Sequence, residues 1–174
     1  MHYVSWDRSD RDNPSLLAEG GPEVLAHFSH DHAVLNPGGD AEEWSLIQLP
    51  EAGAVAKRDD VEVVRTTDSL KRDKQIAVDI EGRGYVIVAE TSKNFIIDDA
   101  HGDKVAQFTS DHNGVRRSIL EFEGQTHLPL IDVVGLAWVS RLVLESRKMV
   151  NTTGLIALLL FLSVFIVAVW FLGP

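Results

Sequence analysis

The side chains best suited to chemistry concentrate in the string "HFSHDH", where His27, His30, Asp31 and His32 fall within six positions. Imidazole and carboxylate are the ligands of zinc and related metals, and their spacing decides which of them can converge. On a helix, His27 and His30 would share a face and His32 would point elsewhere. A second candidate, "DDAHGD" at 98–103, gathers carboxylates around a glycine. It lacks the alternating acids and the distant bidentate Glu of a calcium-binding loop, and Asp and Gly are also ordinary turn residues. Glu121 and Glu123 lie two apart, which on a strand sets both carboxylates on one face. Such a pair can serve acid–base chemistry or simply form the solvated side of a hairpin.

No nucleophile elbow, phosphate-cradling glycine loop or H-E-x-x-H helix accompanies these residues. Nothing assembles a nucleophile, a base and oxyanion donors, so the expectation is a protein that is not an enzyme. It needs no cofactor and has no metal site beyond the weak candidates His27, His30 and His32. Cysteine is absent, which removes thiolate metal sites and disulfides and is compatible with a reducing compartment. The formal net charge is −10. Residues 1–56 carry ten acidic residues against two basic ones. That balance opposes nucleic acid as a partner, since nucleic acid needs a basic footprint.

The elements that must position these residues change character along the chain. Residues 1–43 read as an acidic, largely irregular, flexible arm. Gly20-Gly21 and "NPGGD" break its periodicity, and "NPSLLAE" and "PEVLAHF" offer at most a helical turn or two. Residues 44–127 read as an antiparallel β domain, a small meander closed as a barrel or paired as a sandwich. Seven runs rich in β-branched and aromatic residues carry it: 44–49, 61–66, 75–80, 85–90, 94–98, 104–109 and 115–123. Asn113-Gly114 between the last two is a strong hairpin signal. The segment 128–150 is apolar and connects onward, with a helix favoured and a pair of strands around Gly135 as the alternative.

The chain reserves its most apolar run for Leu155–Leu172, where Ser163 is the one polar residue in 18. A helix of that length rises roughly 27 Å, close to the hydrocarbon thickness of a bilayer. Residues 151–174 are therefore expected to form a C-terminal transmembrane helix. Trp170 suits the membrane interface, and Arg141, Arg147 and Lys148 precede the span while no charge follows it. The positive-inside rule then puts the N-terminal domain on the cytoplasmic side of the cell (inner or plasma) membrane, in a single-pass, tail-anchored topology.

Residues 85–108, "YVIVAETSKNFIIDDAHGDKVAQF", resemble the tubby, LURP-one-related and phospholipid-scramblase group. Those barrels repeat an aromatic-x-I-x-D-x-x-G-x-x-V hairpin, matched here by Phe95, Ile97, Asp99, Gly102 and Val105. The resemblance implies about twelve strands around a central apolar helix, and a membrane-surface or lipid-handling module. The His string similarly resembles the signature of metallo-β-lactamase-like hydrolases, without its alternating His pair.

Taken together, the sequence points to a non-catalytic membrane protein serving as an accessory, assembly or scaffold subunit. Its partners would be a larger integral membrane complex, such as respiratory or transport machinery, and the lipid bilayer. Trp138, Arg141, Phe165 and Trp170 are the expected membrane or partner contacts. A lipid-handling module and a metal-dependent hydrolase built on "HFSHDH" are the competing expectations.

Overall fold

Twelve short strands close into one barrel around the first half of a long helix. The computed structural model describes residues 1–7, 9–10, 12–110, 118–124 and 127–172, without the side chains of 148–153, 155, 157, 168, 171 and 172. The strands are β1 (Tyr3–Asp7), β2 (Ser15–Ala18), β3 (Val24–Phe28), β4 (His32–Leu35), β5 (Glu42–Leu49), β6 (Gly53–Arg58), β7 (Val61–Thr66), β8 (Gln75–Ile80), β9 (Arg83–Ala89), β10 (Asn94–Asp99), β11 (Lys104–Thr109) and β12 (Ile119–Phe122). Each pairs antiparallel with its sequence neighbour, and β1 pairs with β12 to complete the ring. An even strand number lets an up-and-down meander close antiparallel, which leaves no free edge.

Alternation along the strands points one set of side chains inward. β8 is the cleanest case: Ile76, Val78 and Ile80 are buried, while Gln75, Ala77 and Asp79 face out. Two-residue turns with positive φ at both positions join β6 to β7 (Asp59, Asp60) and β8 to β9 (Glu81, Gly82), matching the right-handed twist of the strands they connect. Register shifts at Leu16/Leu17, Ala56/Lys57 and Ile97/Asp98 add the local bending that closure requires.

An eight-stranded barrel is filled by side chains alone; twelve strands leave room for a helix about 10 Å across. That space holds α1 (Leu130–Leu172), 43 residues and about 64 Å long. Val133, Val134, Leu136, Ala137, Trp138, Val139, Val143 and Leu144 are all buried, on every side of the helix. They meet inward residues of the wall in one continuous core that includes Trp6, Trp44, Phe95 and Phe108. Gly135 marks the closest approach: a Cβ there would lie 3.0 Å from both Ile80 and Val64. Because each strand reverses direction, α1 enters at the mouth carrying the β6–β7 and β8–β9 turns, here the upper mouth. It leaves at the mouth carrying the β3–β4 and β7–β8 connections, the lower mouth.

Several expectations are corrected. Residues 1–43 are not an irregular arm; they supply β1 to β4, a third of the barrel. The apolar spacing of Val24, Leu25 and Phe28 imitates a helical face, but the segment is β3, held between β2 and β4. β6 was also missed, because its Gly53, Ala54 and Ala56 lack the bulk that announces a strand. Small residues belong there: a Cβ on Gly53 would sit 1.9 Å from the Thr66 carbonyl oxygen. The helix favoured for 128–150 is found, from Leu130 onward, but it is no separate connector: it shares one element with the apolar C-terminal run. The Asn113-Gly114 turn lies outside the described residues, although β11 and β12 on either side of it do pair.

Candidate functional site

Two polar clasps hold α1, one at each mouth. At the upper mouth the first turn of the helix carries Asp132, the one buried acid among the described residues. Arg83, the first residue of β9, grips it with two nitrogens: Nε donates to Oδ2 at 2.8 Å and Nη2 to Oδ1 at 2.6 Å. The Tyr85 hydroxyl donates to Oδ2 at 2.6 Å. A carboxylate in the first turn also faces the positive end of the helix dipole.

The network extends outward along the rim. Glu81 accepts from Arg83 at 3.4 Å and from Arg58 at 2.7 Å. Arg58 also reaches Glu42 at 3.0 Å, and the Trp44 indole N–H donates to the other Glu42 oxygen. The Arg83 guanidinium is held well above its ordinary pKa, first by its hydrogen bonds to Asp132. Burial, then the bond to Asp132, pushes the Tyr85 phenol up. These groups hold their protons while Asp132 accepts from both.

At the lower mouth the Arg147 side chain reaches out from α1 and caps the β7–β8 connection. Its Nη2 donates to the Asp73 carbonyl at 2.6 Å and its Nε to the Leu70 carbonyl at 3.3 Å, with the Phe95 ring 5.6 Å beneath. Burial pulls the Arg147 pKa down from its usual position. One turn and a half earlier, Arg141 lies 4.7 Å over the Trp6 ring and donates to Glu145 at 2.8 Å. Between this face of α1 and the rim lies a cavity of about 420 Å³, lined by Asp12, Phe28, His30, Trp138, Arg141 and Glu145 among others.

The sequence-derived candidates are scattered by this fold. His27 faces outward on β3, its Nδ1 2.8 Å from the Ser15 hydroxyl. His30 sits in the β3–β4 turn, and His32 begins β4, 3.8 Å from Glu43. Among the described residues no group of three His or acidic side chains could hold a metal ion. Asp99 turns its carboxylate onto its own loop, accepting from the His101 and Asp103 amides, and these bonds hold its pKa down. Glu121 faces out from β12, and Glu123 pairs with Lys104. Trp138 and Arg141 line the lower-mouth cavity, whereas Phe165 and Trp170 lie exposed on the distal half of α1. The four expected contacts thus form two separate pairs.

Sequence reasoning missed Arg83, Tyr85 and the partnership of Asp132. A lone acid inside an apolar helical stretch was the available signal, since such an acid needs a partner. Among the described residues no helix is long and apolar enough to cross a membrane. No family model, curated protein or solved structure matches the chain.

Proposed function

We propose that this protein is a non-catalytic, single-span membrane protein whose barrel is held at the cytoplasmic face of the cell membrane as an accessory or scaffold subunit of a larger integral complex. One observation carries this reading: α1 runs unbroken from the barrel core into a distal half that exposes large apolar side chains on every side. Ile156, Leu158 to Leu162, Val164 to Val167, Val169 and Trp170 are all exposed. Burying that many large side chains is worth on the order of 10 kcal/mol or more, so water is an unfavourable surrounding for them. The sequence run Leu155–Leu172 has the length and apolarity of a bilayer crossing, and Arg141, Arg147 and Lys148 before it favour a cytoplasmic barrel.

The clasps support a structural role. Asp132, Arg83, Tyr85 and Arg147 are consumed in fixing the helix, and a helix clasped at both mouths sets the barrel's height and tilt over the bilayer. The barrel interior is packed by the proximal half of α1, which speaks only against carriage of a lipid inside the barrel.

Membrane fractionation tests the reading. The full chain should stay in the pellet through high salt and alkaline washing. It should also run in mild detergent as part of a stoichiometric larger assembly. Leu160→Arg combined with Val164→Arg should release it. Recovery of the unaltered chain in the wash supernatant as a monomer would overturn the proposal.

A further inference from the structure

We draw no further inference here: the strongest candidate, the shallow groove on the outer wall across β7, β8 and β9 lined by Arg65, Ala77, Asp79, Gly84 and Val86 among others, carries nothing because nothing in the structure shows what covers it.

Discussion

Two stretches of α1, 133–144 and 156–170, are both largely apolar and opposite in surroundings. Residues 133–144 are buried on all sides by the barrel, whereas 156–170 expose Leu, Ile, Val and Phe side chains all round. Punctuation separates them. The proximal half carries Asp132, Gly135, Ser140 and Arg141, and most of these have a specific counterpart: Arg83 and Tyr85 for Asp132, a wall contact at Ile80 and Val64 for Gly135, Trp6 for Arg141. The distal half carries Ser163, whose hydroxyl folds back onto the Leu159 carbonyl at 2.8 Å. A protein wall has shape and fixed dipoles, so it imposes special residues at special places. A lipid environment imposes only apolarity and length. The mated irregularities mark the stretch enclosed by its own protein, and the plain distal stretch is what the proposed membrane span requires.

The contrast is broken most severely at the glycines. Gly135→Leu forces a side chain into Ile80 and Val64 and should cost about 3 kcal/mol or prevent barrel closure. Gly154→Leu meets nothing within 4 Å and should leave denaturant unfolding of the barrel unchanged. Equal effects at the two sites would remove the distinction.

The upper clasp comes next. Arg83→Ala strands a fully buried carboxylate and should cost about 2–3 kcal/mol, at the low end for a broken buried pair because Arg83 is itself partly exposed. Asp132→Ala should cost less, about 1–2 kcal/mol, since the freed guanidinium can reach water. Denaturant midpoints in the same detergent check that order.

At the lower clasp Arg147→Gln removes two bonds to carbonyls and should cost about 1 kcal/mol. The smallest effect is in alkali. Tyr85 holds its proton more tightly folded than unfolded, so from about pH 10 the unfolded chain ionises first and the folded state loses stability as pH rises. Tyr85→Phe should cost about 1 kcal/mol at pH 7, and its deficit should shrink above pH 10.

How much of this was legible follows from how local each signal is. β5 and β7 to β11 were visible because each is a run of β-branched residues bounded by turns, a pattern contained within about eight positions. β1 to β4 are four or five residues long and separated by Gly, Pro and Asp. Their strand state depends on neighbours in the ring: β1 is fixed by β12, over a hundred residues away. The seven-strand count left barrel and sandwich open for that reason. The seven-run reading missed β1 to β4 and β6; the barrel found has twelve strands around a central helix.

The clasp was invisible on similar grounds. Arg83 sits in what reads as a plain hairpin turn, and it meets Asp132, 49 residues on, only when the barrel has wrapped the helix. "HFSHDH" misled in the other direction. Adjacent letters promised one site, but a strand, a turn and a second strand send His27, His30 and His32 to different places.

The proposed continuation of α1 from the barrel into a bilayer is tested most directly by tryptophan quenching in vesicles of brominated phospholipid. Trp6, Trp44 and Trp138 are buried in the barrel, while Trp170 is 81% exposed near the end of the distal half. The expected result is that the reconstituted full chain loses emission to the bromines and that Trp170→Phe abolishes that loss, leaving the three barrel tryptophans bright. Quenching that persists in Trp170→Phe, or emission from the unaltered chain that ignores the bromines, would contradict a distal half embedded in lipid beneath a closed barrel.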